Sequence, residues 1–540
     1  MGAMLGIHWT RYDIRFCKLV WAGLVIEHIF TSGDFMLRPW KLALTISRKD
    51  GVPVHLQIAQ HVVDEIKRGR LAPGAVLPGS RAISDELGLN RKTVVLAFDE
   101  LIAQGWLRSQ GGKGTFVAPD IPIALHHQVS AEEEGSHHRG LPPPTYALKG
   151  VAQTWEATAP HGAIVFSDGV PDSRLIPFEI LGRAYRRALI TAARANRFAY
   201  GDPRGEITLR HALADMLRAE RKLPTGVENV CIVRGSQMGI FVVARILVSS
   251  GDHVAVDSLS YPPARAAFQA AGAQIHGVMM DSFGMRVDAL ESLCQQHKVT
   301  AIYLTPHHQF PTTRLMPIER RMHLLKLAEK YGFAIVEDDY DHEFHFSNRP
   351  MFPIASLDQT GRVIYIGSLS KVVAPGLRVG YIAGHKTVVD QCASEIMIID
   401  RQGNAVTELA VAELLESGEL RRHIRRALRI YQERRTQIAE QVSIHLKDWV
   451  DFDLPEGGLA LWLRLKGNMR AEAVVNEARG SGVVIPSSQH FALDGQLVAG
   501  FRLGFGSLTP AEITAGVKLL RLAFERTAHS IVRKNRKSHN

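Results

Sequence analysis

The chain has 540 residues, of which 46% are hydrophobic, and a formal net charge of +10. This length exceeds what one hydrophobic core supports, and the apolar fraction excludes a largely disordered chain, so we expect two or more packed domains. The basic charge permits an anionic partner but does not prove one. The four cysteines are widely scattered, and no apolar run approaches the roughly 20 residues that span a bilayer. We therefore expect a cytoplasmic protein with reduced thiols and no membrane partner.

The first 35 residues differ from the rest of the chain. Their short apolar run is interrupted by Lys18 and Glu27 and lacks a clear small-residue cleavage site. The segment "MLRPWKLALTI", which begins at Met36, leads directly into the first recognisable domain. We predict that Met36 is the natural start and that residues 1–35 form a non-native or disordered extension.

Residues 47–118 have the pattern of a small helical domain with a hairpin. Apolar residues recur at helical spacing in "PVHLQIAQHVVDEIKRGRL". Ser80 is predicted to cap a short helix that ends at Gly88, and Asn90 to cap a second helix that ends at Gly105. The segment "WLRSQGGKGTFVA" predicts two short strands around a glycine-rich turn. Together these elements indicate a winged helix-turn-helix.

Basic residues stand where this fold contacts double-stranded DNA. The N-terminal end of the second helix faces the bases in the major groove, and Arg91, Lys92 and Thr93 occupy that end. Arg81, near the start of the preceding helix, suits a phosphate, and Lys113 at the wing tip suits the DNA backbone or the minor groove.

Charge does not decide between DNA binding and a plain packing domain. Residues 51–120 hold eight Lys or Arg and seven Asp or Glu, a net charge of +1. The run "LAPGAVLPGSRAISDELGLNRKTVVLAFDELIAQGWLRSQGGKGTFV" resembles the GntR-type winged helix over nearly its whole length. That resemblance implies a double-stranded DNA operator as the partner.

Residues 119–163 are predicted to be a linker. They are rich in Pro, Gly, His and charge and lack apolar periodicity. Four histidines in this segment raise the question of a metal: His126, His127, His137 and His138. Their irregular spacing, without nearby cysteines, favours a solvated loop, and we predict no metal site.

From residue 164 to residue 527 short apolar strands alternate with helices. The segments "NVCIVRGS", "HVAVDS", "AIYLTP", "FAIVEDD", "VIYIGS" and "RVGYIAG" predict an α/β domain with a largely parallel sheet. Ligands bind beyond the carboxyl ends of such strands. The side chains that follow the strand ends are Ser236, Gln237, Tyr261, Gln309, Asp338, Tyr340, Ser368, Ser370, Lys371 and Arg378.

This set of side chains fits pyridoxal 5'-phosphate. The aldehyde of that cofactor needs a lysine for a Schiff base, its pyridine nitrogen needs a carboxylate, and its phosphate needs N–H groups, hydroxyls and an arginine. Taken alone, each residue has a plainer explanation; "VEDDYDHEF", for example, also suits a solvated loop or a magnesium site. Five converging strand ends favour the cofactor, and Lys371 is the predicted Schiff-base amine.

The motifs "YGDPRGEITLR", "GSQMG", "SLSKVVAPGLRVGY" and "FRLGF" resemble fold-type I, class I aminotransferases. The resemblance implies these roles: Lys371 as the Schiff-base lysine, Asp338 (or Asp339, one residue on) as the partner of the ring nitrogen, Tyr340 on the ring hydroxyl, Tyr261 stacked on the ring, Ser236, Gln237, Ser368, Ser370 and Arg378 on the phosphate, Tyr200 reaching into the neighbouring subunit's site, and Arg502 on a carboxylate. The family's Asn-Pro-Thr-Gly turn is replaced by "HHQFPTTRLM". There Gln309 is expected to substitute for the asparagine, and Thr313 replaces the glycine.

The order of domains, a GntR-type winged helix followed by an aminotransferase-like domain, resembles the MocR-type transcriptional regulators. This resemblance implies a head-to-tail homodimer that senses pyridoxal phosphate, alone or with an amine or amino acid, through an aldimine at Lys371. Two alternatives remain: a working aminotransferase with a fused DNA-binding domain, and a DNA-binding protein whose large domain has lost the cofactor. Retention of Lys371, Asp338, Tyr340 and Arg378 argues against the last. The basic residues 528–540 are predicted to be a disordered tail.

Overall fold

The chain separates into two compact units, residues 1–152 and 153–540, which are described one at a time. The computed structural model describes residues 51–121, 159–347, 352–493 and 497–537, with short segments at 15–16, 20–21, 24–25, 29–30, 46–47 and 144–147. The predicted extension (1–35) and linker (119–163) lie mostly outside the described residues. Within the extension, four two-residue strands are described: β1 (Arg15–Phe16), β2 (Val20–Trp21), β3 (Leu24–Val25) and β4 (Ile29–Phe30).

The first unit contains the predicted three helices and hairpin. They are α1 (Val54–Lys67), α2 (Ser80–Leu87), α3 (Arg91–Ala103), β5 (Leu107–Gln110) and β6 (Gly114–Val117). The apolar faces of the helices meet in one core, which includes Ile58, Val62, Ile83, Val94 and Phe98. β5 and β6 pair antiparallel, so the hairpin prediction is confirmed.

The ends of the helices in this unit follow the sequence signals, with one exception. Asn90 caps α3 by accepting a hydrogen bond from the Lys92 N–H, and Gly88 ends α2 in the left-handed conformation that glycine tolerates. The prediction that Ser80 caps α2 is wrong. Gly79 occupies the cap position, and the Ser80 hydroxyl accepts a hydrogen bond from Nε of Arg91 at 3.3 Å instead.

A seven-stranded sheet forms the centre of the second unit. In spatial order its strands are β10 (Gln274–Val278), β9 (His253–Asp257), β13 (Val299–Leu304), β14 (Ala334–Asp339), β15 (Val363–Ser368), β16 (Gly380–Ala383) and β8 (Val230–Val233). The pairs from β10 to β15 are parallel, and β16 runs antiparallel to both of its neighbours. The prediction of an α/β fold with a largely parallel sheet is therefore confirmed.

Helices cover both faces of this sheet, because neighbouring residues on a strand point to opposite sides. Ile302 and Ile335 belong to one buried cluster, whereas Tyr303 and Val336 belong to the other. The helices of this part are α4 (Phe178–Arg194), α5 (Ile207–Arg221), α6 (Gly235–Leu247), α7 (Pro262–Ala270), α8 (Val287–Gln296), α9 (Ile318–Tyr331), α10 (Lys386–Ile399) and α11 (Ala405–Glu416). The two-residue strands β11 (Met280–Asp281) and β12 (Gly284–Met285) form a short hairpin.

A smaller antiparallel sheet forms the C-terminal part of this unit. It consists of β17 (Val450–Phe452), β18 (Ala460–Leu465) and β20 (Gly500–Gly504), accompanied by α12 (Glu419–His445), α13 (Ala471–Gly480) and α14 (Pro510–Lys537). β7 (Ile164–Val165) pairs with β19 (Val483–Val484) and so joins the start of the unit to its end. The predicted disordered tail is wrong for residues 528–537, because α14 continues through Lys537.

Candidate cofactor site and nucleic-acid interface

Lys371 lies just beyond the end of β15, beside residues that follow β14. Its side chain is half-buried, and its Nζ atom lies 4.2 Å from the ring centre of Tyr340. Burial lowers the pKa of Lys371, and the nearby positive charge of Arg502 lowers it further, although Asp341 and Asp338 oppose this. A lowered pKa increases the fraction of neutral amine, which is the nucleophilic form.

The two aspartates at the end of β14 have different surroundings. Asp338 is buried and accepts a hydrogen bond from the Tyr303 hydroxyl at 2.7 Å through Oδ2. Its Oδ1 atom is buried and has no hydrogen-bond partner among the described residues. Burial raises the pKa of Asp338 to about 7, although the charge of Lys371 opposes the rise. This carboxyl group therefore has one oxygen left for a cationic partner on the Lys371 side of the strand.

Asp339 is occupied on the other side of the strand. Its Oδ2 atom lies 2.7 Å from Nδ1 of His342 and accepts a hydrogen bond from the Tyr365 hydroxyl at 2.7 Å. Burial alone would raise the pKa of Asp339, but the charge of His342 outweighs it and holds the pKa well below its ordinary value. Of the two, Asp338 thus fits the cofactor role better, as the sequence analysis expects.

The Tyr340 ring beside Lys371 belongs to a group of three aromatic rings with Phe310 and Tyr261. The Tyr340 hydroxyl donates a hydrogen bond to the carbonyl of His308 at 3.0 Å. The ring of Phe310 meets Tyr261 edge-on at 5.2 Å and Tyr340 at 6.3 Å between centroids. Burial raises the pKa of Tyr261 to about 12, and Asp338 contributes to the rise. Tyr261 and Tyr340 thus stay neutral and present flat surfaces to a ring-shaped ligand.

The start of α6 and the side chain of Arg378 form a cradle for an anion. Gly235 begins α6 with a φ of +76°, and a Cβ atom there would lie 2.6 Å from Nη2 of Arg378. Nη2 of Arg378 also donates to the carbonyl of Arg234 at 3.2 Å. Ser236 and Gln237 occupy the first turn of α6, whose free N–H groups favour phosphate. The phosphate roles of these residues stay a prediction.

The other predicted phosphate side chains lie next to this cradle. Ser368 ends β15 opposite Gly380, and a Cβ at Gly380 would lie 2.8 Å from the carbonyl carbon of Gly235. Ser370 is buried, and its hydroxyl donates to the Val379 carbonyl and accepts from the Val379 N–H, each at 3.1 Å. In this structure the hydroxyl of Ser370 therefore holds the loop that carries Arg378.

Arg502 reaches the same region from the smaller sheet. It is buried on β20, where Nη1 donates to the Pro311 carbonyl at 2.7 Å and Nε donates to the Asp168 carbonyl at 3.3 Å. Its Nη2 atom is buried without a hydrogen-bond partner among the described residues. The guanidinium carbon lies 4.9 Å from the ring centre of Phe310. A buried arginine with an open donor suits a ligand carboxylate.

Gln309 does not have the role that the sequence predicts. Its amide nitrogen donates to Asp257 at 3.1 Å and to the Leu259 carbonyl at 2.8 Å. Its amide oxygen accepts from the Thr312 N–H and hydroxyl. Its polar atoms are therefore engaged by the end of β9 and by its own loop, and Phe310, not Gln309, makes the contacts with Tyr261 and Tyr340. The polar, turn-like segment "HHQFP" gave no indication that Phe310 would make these contacts in place of Gln309.

Tyr200 lies on the surface of the second unit. It is 79% exposed, and the guanidinium of Arg401 lies 4.8 Å above its ring centre. Its predicted reach into a neighbouring subunit stays a prediction.

The predicted DNA contacts all belong to the first unit. Arg91 and Lys92 are exposed at the start of α3, and Thr93 is half-buried beside them. Arg81 is exposed in the first turn of α2, and Lys113 is exposed between β5 and β6. The structure exposes the predicted basic residues on α2, on α3 and at the hairpin tip, and their contacts with DNA stay a prediction.

Sequence reasoning missed a buried polar network behind Asp339. The guanidinium of Arg221 contacts the hydroxyls of Tyr365 and Tyr381 and the carboxylate of Glu343. Arg221 ends α5 far away in the sequence, and no local motif links it to the strand ends. Its positive charge helps to hold the pKa of Asp339 below its ordinary value.

Comparison with known proteins defines the class of each unit. Residues 170–520 match the family model for aminotransferase class I and II, and residues 55–117 match the model for bacterial regulatory proteins of the gntR family. A solved multiple substrate aminotransferase from Thermococcus profundus is 28% identical with a TM-score of 0.65, covering 68% of this chain and 93% of that one. Pyrococcus horikoshii kynurenine aminotransferase, solved in complex with PMP, is 28% identical with a TM-score of 0.64, covering 68% and 92%.

Relatives that span both units identify the family. The probable rhizopine catabolism regulatory protein MocR of Rhizobium meliloti is 30% identical, covering 89% of this chain and 96% of the relative. The pyridoxine biosynthesis transcriptional regulator PdxR of Corynebacterium glutamicum is 28% identical, covering 87% and 96%. The chain therefore belongs to the MocR-type regulators, which join a GntR-type winged helix to an aminotransferase class I and II domain. None of the helices in the described part of the chain combines the length and apolar character of a membrane span.

Proposed function

We propose that the protein is a DNA-binding transcriptional regulator whose large unit binds pyridoxal 5'-phosphate covalently at Lys371. DNA affinity would then respond to that cofactor and to an amine or amino acid. The observation that carries the proposal is the position of Lys371, half-buried and 4.2 Å from the ring of Tyr340, beside the open oxygen of buried Asp338.

The atoms that have no protein partner fit the cofactor. Oδ1 of Asp338 would hold the protonated pyridine nitrogen, and the cradle of Gly235 and Arg378 would bind the phosphate. Oε1 of Gln237, in the first turn of α6, is also buried without a partner among the described residues. Buried polar atoms are rarely left unpaired, so several such atoms in one crevice support a ligand there. When bound, pyridoxal phosphate supplies a reactive aldehyde and an electron sink.

Arg502 supports a carboxylate on the effector. Nη2 of Arg502 is buried and open, and the pKa of Lys371 is lowered partly by its charge. A carboxylate bound at Nη2 would neutralise that charge and so change the electrostatic surroundings of the lysine. This is the chemistry by which an amino acid would act differently from pyridoxal phosphate alone.

The DNA-binding part of the proposal rests on the first unit. Arg91 and Lys92 are exposed at the capped start of α3, and Lys113 is exposed at the hairpin tip. We propose that α3 reads a double-stranded operator in the major groove. We also propose that the protein acts as a head-to-tail homodimer, in which the exposed Tyr200 contacts the neighbouring subunit's site.

A working aminotransferase is the second candidate. One observation favours it: Lys371 lies in the same crevice as Asp338 and as Arg502, whose Nη2 atom is open to a carboxylate. The discriminating experiment measures two quantities in one preparation: the affinity for DNA upstream of its own gene, with and without pyridoxal phosphate and amino acids, and the rate of amino-group transfer to a keto acid. Ligand-dependent DNA affinity without sustained turnover supports the regulator, whereas turnover with ligand-independent DNA affinity would support the enzyme.

A further inference from the structure

Two loops bring four histidines together behind the cofactor crevice. His307 and His308 follow β13, and His342 and His345 follow β14. The ring centroid of His307 lies 4.5 Å from that of His308, 4.7 Å from that of His342 and 5.5 Å from that of His345. These residues have no part in the function proposed above.

His307 is the unusual member of this group. Its side chain is buried, and neither of its ring nitrogens has a hydrogen-bond partner among the described residues. A buried imidazole without partners is unfavourable, because it gives up its bonds to water. Its ring nitrogens are therefore open to a ligand, and imidazole is a common ligand of metal ions.

Asp339 and His342 complete a set of ligands around His307. The Nδ1 atom of His342 lies 2.7 Å from Oδ2 of Asp339, so a nitrogen and an oxygen that could bind an ion already lie next to each other. Oδ1 of Asp339 is buried and has no hydrogen-bond partner among the described residues. One ligand atom from each of the three residues lies within 4.8 Å of the others.

The spacing is close to that of a tetrahedral site. With metal–nitrogen distances of about 2.0–2.1 Å, the ligand atoms of such a site lie about 3.4 Å apart. Side-chain rotations that move each atom by about 1 Å would therefore close the observed set around an ion.

A plain hydrogen-bond network explains only part of the cluster. The pair of Asp339 and His342 is complete as an ion pair, but it leaves both nitrogens of His307 without a partner. His308 is a poorer ligand, because its Nδ1 contacts Asp341 at 2.7 Å and its Nε2 packs against the backbone at Gly457.

We propose that His307, His342 and Asp339 bind a divalent transition-metal ion of the zinc class. Imidazole ligands select zinc, copper, nickel or iron over magnesium and calcium, which prefer oxygen. The proposal departs from the sequence prediction of no metal. It does not depend on pyridoxal phosphate, because the function proposed above gives no role to His307, His342 or Asp339.

The test titrates the chelator-treated full-length protein with Co²⁺ and then with Zn²⁺. A tetrahedral site gives intense visible Co²⁺ bands that one equivalent of Zn²⁺ abolishes. His307→Leu removes a buried polar group without partners, so we expect the variant to fold with unchanged or higher thermal stability. We also expect it to lose at least tenfold in Zn²⁺ affinity, whereas exposed His323→Ala retains full affinity.

A second variant keeps the proposal testable if His307→Leu does not fold. His342→Ala should lose the Co²⁺ bands and the rise in Tm that Zn²⁺ produces in the unmodified protein, since an ion that binds only the native state stabilises it. Equal Zn²⁺ affinity in the unmodified protein, His307→Leu and His342→Ala would overturn the proposal, because the metal would then bind elsewhere. Weak, octahedral Co²⁺ spectra in the unmodified protein would overturn it as well.

Discussion

The guanidinium of Arg378 lies against Gly235 at the first turn of α6, so closely that a Cβ atom on residue 235 would approach Nη2 to 2.6 Å. Arg378 itself has a positive φ of 52°, which turns its side chain back toward the helix. A helix N-terminus and an arginine at this distance form one anion site.

Gly235→Ala should therefore weaken the binding of pyridoxal phosphate at least tenfold. The added methyl group meets Arg378, and the φ of +76° is unfavourable for alanine by roughly 1–2 kcal/mol. Gly182→Ala is the matched control, because a Cβ there lies in open space on α4 and should be neutral or slightly stabilising. Fluorescence titration with pyridoxal phosphate measures the affinity of each variant. Equal affinities for Gly235→Ala and Gly182→Ala would refute the proposal that Gly235 and Arg378 bind the phosphate.

Arg502→Lys should separate amino acids from simple amines. Lysine cannot form the two parallel hydrogen bonds that arginine offers a carboxylate, and the loss of about 1.5–3 kcal/mol corresponds to roughly 10–150-fold in affinity. The cofactor's absorbance should persist, and its response to alkylamines without a carboxylate should be unchanged. If amino acids still act at their original concentrations, Arg502 does not bind the effector's carboxylate.

Asp338→Asn should change the pH dependence of stability in the cofactor-free protein. The pKa of Asp338 is about 7 in the folded state, above its ordinary value near 3.8, so the folded state binds the proton more tightly. The stability that this group contributes is thus present at low pH and is lost as pH rises toward 7. At about 1.4 kcal/mol per pKa unit, we expect the asparagine variant to have a free energy of unfolding on the order of 4 kcal/mol higher at pH 8 and nearly unchanged at pH 4.

Denaturant unfolding at both pH values measures this difference. The exposed Glu416→Gln serves as the control and should show no such pH-dependent gain. In the cofactor-loaded protein the same Asp338→Asn change should instead reduce affinity for pyridoxal phosphate, because the ring nitrogen loses its carboxylate. If the free energies of unfolding of Asp338→Asn and the unmodified protein differ by the same amount at every pH, the pKa of Asp338 is not raised.

Arg91→Ala should weaken operator binding by about 1–3 kcal/mol, or roughly 5–150-fold, if the start of α3 contacts the DNA. Arg91 is exposed there, and the cap made by Asn90 does not depend on it. Arg68→Ala, at the end of α1, changes the same charge on the same unit and should have a smaller effect. Electrophoretic mobility shifts at one fixed salt concentration measure both. Equal losses would indicate that the DNA senses only the net charge.

The sequence allowed the strand ends to be predicted well, because each signal is local. The apolar runs before Asp338 and before Lys371 are the strands β14 and β15, and the parallel order of the strands brings their carboxyl ends together. The helix ends at Gly88 and Asn90 were predictable for the same reason, since the capping residues act on their own helix.

What could not be predicted depends on contacts between distant segments. The hydrogen bonds that distinguish Asp338 from Asp339 come from Tyr303 and Tyr365, which lie on other strands and which no motif places near the doublet. Gln309 was assigned from its similarity to asparagine, but Asp257 engages its amide.

Two further differences have similar causes. His307 follows β13 and His342 follows β14, and 35 residues separate them in the sequence. They come together only because the two strands pair side by side. Residues 528–537 continue the long helix α14. Their basic composition gave no sign of this, because it resembles that of a disordered tail.

The central claim is that Lys371 couples pyridoxal phosphate to DNA binding, and one titration tests it most directly. The unmodified protein, Lys371→Ala and Lys330→Ala, a surface lysine paired with Glu291 at 2.8 Å, are each titrated with pyridoxal phosphate while Schiff-base absorbance and operator affinity are recorded. We expect the band and the change in affinity in the unmodified protein and in Lys330→Ala, and neither in Lys371→Ala. An unmodified protein that stays colourless in excess pyridoxal phosphate, or a Lys371→Ala variant with an unchanged DNA response, would contradict the account.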